Sequence, residues 1–177
     1  MSIVALITWI TAAAGGLYLV SIWLIEYDKE YQSAAATRLP PLVLAAHVTL
    51  AAGGLVVWVA YMVNNTHTLA WTAVLALVLA ATLGLIMAIR WISVYRDVRA
   101  LRQAAKAGTT PPGTSTQIAL NAAASPVGWR RIATLGRGVE VGPPERNFPL
   151  PVVIGHGVFA VATLTLVLLI ALGVYSS

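Results

Sequence analysis

The chain contains no cysteine. That excludes disulfides, thiol chemistry, iron–sulfur ligation and thioether attachment of a haem. Charge is scarce too, with Asp, Glu, Lys and Arg making up 10% of 177 residues. None falls in four long stretches, Ile3–Ile25, Pro41–Val63, Ala70–Ile89 and Leu150–Val174. Without paired carboxylates in those stretches there is no acid–base or nucleophilic machinery there, and ion-coupled transport lacks the intramembrane charges it normally uses. Whether the chain is an enzyme stays open, and a non-catalytic electron-transfer or accessory role is the expectation.

What is present is apolar. Hydrophobic residues make up 59% of the chain, more than an ordinary soluble domain carries. Each stretch has about 20 residues or more, enough to cross a hydrocarbon core of about 30 Å. The expected fold is an all-α membrane protein, a four-transmembrane-helix bundle forming one domain over 1–177. The first stretch lacks the basic start and the small-residue cleavage site of a signal peptide, so it is expected to stay in the mature chain.

The net charge of +5 does not point to nucleic acid, because of where the charges lie. All eleven Lys and Arg and all six acids fall in Glu26–Leu39 and Arg90–Pro149. These segments follow the first and third helices and so share one side of the membrane. The positive-inside rule makes that side cytoplasmic and puts both termini outside a multi-pass plasma-membrane protein. The basic excess then sets orientation and meets anionic lipid.

The chain also repeats itself. "GLYLVSIWLIEY" (Gly16–Tyr27) and "GLIMAIRWISVY" (Gly84–Tyr95) share Gly-Leu, a Trp seven residues after the Gly and a Tyr four further on. Ala12 and Ala13 upstream match Ala80 and Ala81. "LPPLVLAAH" (Leu39–His47) and "FPLPVVIGH" (Phe148–His156) align without a gap, each preceded by an arginine, Arg38 and Arg146. The pattern reads as two parallel-repeat helical hairpins, 1–65 and 66–177, related by a pseudo-twofold axis along the membrane normal. The second carries a cytoplasmic connection over 92–149. Its start, "RWISVYRDVRALRQAAK", can extend the third helix as a basic amphipathic helix. "TLGRGVEVG" does not join a strand to a helix and is not read as a nucleotide loop.

His47 and His156 each lie seven residues beyond their proline, about 10 Å along helices running in the same direction. The two rings are therefore expected at one depth, turned toward one another. Two facing imidazoles suit the axial positions of a single haem b, and His47 and His156 are the expected metal ligands. Gly155, Gly157, Ala51 and Ala160 would leave room for the macrocycle. Arg38, Arg90 and Arg146 at the helix ends would meet its propionates. A different reading has the histidines hydrogen-bond a Ser, a Thr (Thr8, Thr11, Ser21, Thr49, Thr82, Thr163) or a backbone carbonyl across helices, in a cofactor-free accessory subunit. A small transporter or lipid-binding protein is a third. His67 reads as a solvated loop residue. Trp9, Trp23, Trp58, Trp71 and Trp91 fall near helix ends, as interfacial belts do.

At "ERNFPLPVVIGHGVFAVATL" the chain resembles small four-helix integral membrane proteins of high-GC bacteria, a resemblance that implies the fold and no activity. In architecture it is similar to four-helix b-haem membrane subunits and to the anchors of quinone-linked oxidoreductases. That likeness implies electron transfer in a respiratory chain, protein partners in a membrane complex, and room for a quinone. It departs from the dihaem cytochromes, which need two His pairs where this chain supplies one.

Overall fold

The computed structural model describes residues 1–26, 39–106 and 144–174. Among them are four long helices: α1 (Ser2–Glu26), α2 (Pro41–Asn64), α3 (His67–Lys106) and α4 (Leu150–Ala171). A short 3₁₀ turn, Pro144–Asn147, precedes α4. All four helices are long and apolar enough to span a membrane.

Proline sets where α2 and α4 begin. Pro40 and Pro149 hold extended backbone at the N-caps, and Pro41 and Pro151 occupy the first turns, where their missing N–H leaves no bond unmade. α2 ends on Asn65, which takes the left-handed conformation (φ 51°) and returns its N–H to the Tyr61 carbonyl at 2.8 Å. α4 ends in a tight turn closed by Gly173 at φ 75°. α3 covers the apolar run at Ala70–Ile89 and, as the sequence led one to expect, continues through Arg90–Lys106 as one helix. It starts at His67, immediately after a two-residue loop. Forty residues are about 60 Å of helix, roughly twice the hydrocarbon thickness, so its basic end stands clear of the span.

The helices run up, down, up, down. α1 packs antiparallel on α4 and α2 on α3, while α3 touches α4 and α1 touches α2 less extensively. α1 lies diagonally opposite α3, and α2 opposite α4. The bundle therefore has two ends. One carries the 65–66 loop, the start of α1 and the end of α4. The other carries the end of α1, the start of α2, the outer part of α3 and the 3₁₀ turn.

The outside is apolar. Ile3, Leu42, Val56, Val63, Leu85, Val158 and Val161 are exposed, the surface of a helix bundle solvated by lipid. Inside, small residues let the helices approach. Ala5, Ala70, Ala73 and Ala171 pack around Trp9, Trp58, Leu77, Val167 and Ile170 in a cluster near the short-loop end. Hydroxyls along the helices are satisfied locally, as where Thr11 donates to Ile7 O and Thr82 to Val78 O, both at 2.8 Å.

The tryptophans do not form the expected belts. Trp9, Trp23, Trp58 and Trp91 are buried inside the bundle, and Trp71 is exposed. With so many alanines and glycines lining the helices, large rings are needed to fill the interior. Trp9 shows the fit: the edge of its ring enters the notch left by Gly54 of α2. A Cβ there would lie 3.0 Å from Ala76 Cβ and 3.1 Å from Trp9 Cζ2. Gly54→Val is therefore expected to destabilise the bundle by about 1–3 kcal/mol. Gly53→Val, whose Cβ meets nothing within 4 Å, should change stability by no more than about 0.5 kcal/mol. Thermal unfolding of both variants in one detergent, followed by circular dichroism, checks the pair; equal effects would contradict this packing.

Candidate functional site

Proline and helix geometry place His47 and His156 seven residues into α2 and α4. The structure brings the two rings together at the centre of the bundle, with centroids 6.2 Å apart and ring planes at 68°. The helices that carry them are diagonal partners, so the imidazoles reach inward from opposite corners. Both are partly buried.

Each ring is held by the neighbouring helix in the same manner. His47 Nδ1 lies 2.8 Å from the Ala80 carbonyl of α3, and His156 Nδ1 lies 2.8 Å from the Ala12 carbonyl of α1. A carbonyl oxygen can only accept, so Nδ1 carries the proton at both sites. In a neutral ring that leaves Nε2 as the lone-pair nitrogen. Among the described residues neither Nε2 has a hydrogen-bond partner.

Glycine makes the close approach feasible. A Cβ on Gly16 would lie 3.0 Å from His156 Cε1, and one on Gly84 would lie 3.2 Å from His47 Cε1. In each case the carbonyl comes from the alanine one turn before the glycine. A bulkier residue would push the ring off its carbonyl.

Beside the rings, toward the short-loop end, is a cavity of about 70 Å³ that opens at one side. Ala12, Ala13, Ala51, Ala80, Ala81 and Ala160 form most of its walls, with Trp9, Leu77 and Thr163 farther from the rings. Ala81 is exposed on the bundle surface, so the cleft reaches the outside between helices. Apart from the imidazoles and the Thr163 hydroxyl, the lining is apolar. Thr163 bonds Thr8 Oγ1 across to α1 at 3.0 Å.

The residues expected at the site divide. Ala51 and Ala160 line the cleft with the histidines. Gly155 and Gly157 do not line it, and each has open space beside it. Arg90 is exposed on α3, away from the 65–66 loop. Arg38 lies outside the described residues, and for Arg146 only the backbone, in the 3₁₀ turn, is described. "TLGRGVEVG" also falls outside. His67 is exposed as the first residue of α3. None of the six candidate hydroxyls bonds a histidine; backbone carbonyls do.

Sequence reasoning missed three parts of this arrangement. The Ala12 and Ala80 carbonyls as ring anchors were signalled by the alanine matches upstream of Gly16 and Gly84. Trp9 as a cavity wall was hidden by the belt reading. Glu145 is fully buried at the end away from the 65–66 loop, where its backbone carbonyl accepts from Trp91 Nε1 at 3.2 Å; nothing in "PPERNFP" distinguishes it from a surface acid.

Among the described residues there is no group of three or more His, Cys, Asp and Glu placed to hold a metal ion. No protein-family model, curated protein or solved structure matches the chain.

The hydrogen-bond pattern has a direct spectroscopic consequence. In apoprotein labelled with ¹⁵N-histidine, His47 and His156 should both show the Nδ1–H tautomer with Nε2 unprotonated. Nε2–H signals from the buried pair would contradict the geometry.

Proposed function

We propose that the chain is a membrane b-type cytochrome in which His47 and His156 are the axial ligands of a single haem, and that it transfers electrons as a subunit or carrier in a respiratory membrane complex. The observation that carries this reading is the pair of inward-facing imidazoles, each with Nδ1 tied to a carbonyl and Nε2 unpartnered.

The donor set fits such a group. Metal-bound histidines regularly donate their other N–H to a carbonyl, which fixes the tautomer and orients the ring. The spacing fits as well. The two rings lie 6.2 Å apart between centroids, close enough that His47 and His156 would be the residues to hold one metal centre between them. The walls are mostly alanine, and the macrocycle would take up the open cleft as well as the enclosed cavity.

A bound haem supplies one-electron transfer, its potential tuned by ligands and surroundings. The chain's own contribution is positional. Ala12 and Ala80 hold the imidazoles through their carbonyls, and Gly16 and Gly84 let the rings sit against α1 and α3. The apolar walls keep water away from the iron position. Arg90, exposed on α3 away from the 65–66 loop, would offer a propionate a cation, and Arg38 and Arg146 are proposed for the same role. Lipid surrounds the exposed apolar faces, and a quinone is the natural mobile partner for a bilayer-embedded carrier.

The matching contacts of His47–Ala80–Gly84 and His156–Ala12–Gly16 also support the two-hairpin repeat, with the twofold axis passing between the rings. The positive-inside rule places the end away from the 65–66 loop in the cytoplasm and both termini outside.

A second reading rests on the same hydrogen bonds taken alone. As packing contacts they would hold α2 to α3 and α4 to α1 in a cofactor-free accessory subunit. That reading leaves two acceptor nitrogens without protein partners in a largely apolar interior, a cost of about 1–3 kcal/mol each unless water enters the cavity.

Visible spectra separate the two. Protein purified in detergent from haem-replete cells should show a Soret band, and an α band that sharpens on reduction. His47→Ala and His156→Ala should each remove the low-spin spectrum. Gly84→Val, which crowds His47, should lower haem content at least about tenfold, equivalent to 1.4 kcal/mol, and Gly157→Ala should leave it unchanged. A colourless wild-type protein would eliminate the cytochrome reading.

A further inference from the structure

The ligand set is the same on both sides of the site, but its outer wall is not. We infer that Trp9, opposed by Leu77, selects which of two flipped orientations a haem adopts in this cleft; the inference rests on the cytochrome reading.

The near-symmetry can be followed residue by residue. His47 with the Ala80 carbonyl and Gly84 matches His156 with the Ala12 carbonyl and Gly16, at equal Nδ1–O distances of 2.8 Å. Trp9 stands three residues before Ala12, as Leu77 stands three before Ala80. Both are buried and both line the cleft. One turn further from the rings the symmetry breaks again. Gly54, seven residues after His47, admits the Trp9 ring edge. Thr163, seven after His156, instead bonds Thr8 across the helix interface.

α2 and α4 would supply the ligands of a bound haem, so its remaining sides would be met by α1 and α3. Protohaem is nearly twofold symmetric about the axis from its propionates to its opposite edge, and only the order of vinyl and methyl groups distinguishes its two sides. A half-turn about that axis exchanges the groups meeting α1 with those meeting α3. The imidazoles, carbonyls and glycines are alike on both sides and cannot tell the two forms apart. An indole on one side and an isobutyl group on the other can, because a planar ring fixed in the Gly54 notch and a smaller branched side chain leave different shapes beside the substituents. Orientation preference is a difference of two binding free energies, and here the difference must come from the residues that break the symmetry.

The test is proton NMR of the ferric low-spin protein, whose hyperfine-shifted haem methyls give one set of signals per orientation. Wild type should show two sets in unequal ratio, about five to one or greater, with Trp9→Leu moving the ratio to about one to one. The double exchange Trp9→Leu/Leu77→Trp should reverse the preference. If Trp9→Leu fails to fold, Leu77→Trp alone must also move the ratio toward unity. Apoprotein reconstituted with a haem bearing methyls in place of both vinyls should give a single set. A ratio unmoved by all of these substitutions overturns the inference while leaving the cytochrome reading intact, as do two sets with the symmetric haem. A wild-type protein that binds no haem removes that reading and the inference together.

Discussion

The site depends on two hydrogen bonds from imidazole Nδ1 to backbone carbonyls, one on each side of the bundle. A histidine within a membrane span is costly unless both ring nitrogens are accounted for. Here one nitrogen is accounted for by α-helical backbone, whose carbonyl already serves its own helix and accepts a second bond through its other lone pair. The ring is thereby fixed in tautomer and direction without any other polar side chain, which an apolar bundle can scarcely provide. Everything near the rings follows from making that contact possible. Glycine stands where the ring crosses the neighbouring helix, alanine supplies the carbonyl one turn away, and small residues continue along the cleft.

That arrangement explains the division of labour along the bundle. At the level of the histidines the interior is lined by alanine and left partly open. Toward the short-loop end, where no ring needs access, indoles and branched aliphatics fill the space. Trp9 stands at the boundary, closing the cavity on one side and keying into α2 on the other. The opposite end is closed differently, by Trp23, Trp91, Leu39 and Val94 with the 3₁₀ turn tucked among the helices.

Much of this could be read from the residues. Four uncharged runs longer than the bilayer is thick admit few folds, and paired prolines seven residues ahead of paired histidines bring the rings to one depth. What could not be read was which way aromatic and small residues turn. Trp58 occupies a position consistent with an interfacial ring or a core ring, and only the packing of Val167 and Ala171 around it makes it a core residue. Gly155 and Gly157 flank His156 in sequence, yet helical geometry turns the neighbours of an inward residue away from it. Gly16 and Gly84, distant in sequence from either histidine, are the glycines that touch the rings. The extension of α3 through Arg90–Lys106 was legible, because that stretch keeps a helical, basic amphipathic pattern after the apolar run ends.

The tie between Trp91 and the Glu145 carbonyl bears on how α4 is seated. Trp91 on α3 donates to the Glu145 carbonyl and so ties the 3₁₀ turn to the flank of α3 just before α4 begins. The buried indole thus anchors the turn at Glu145, eleven residues upstream of His156 and ahead of the first turn of α4. The turn is placed like a clamp on a cable just before its plug.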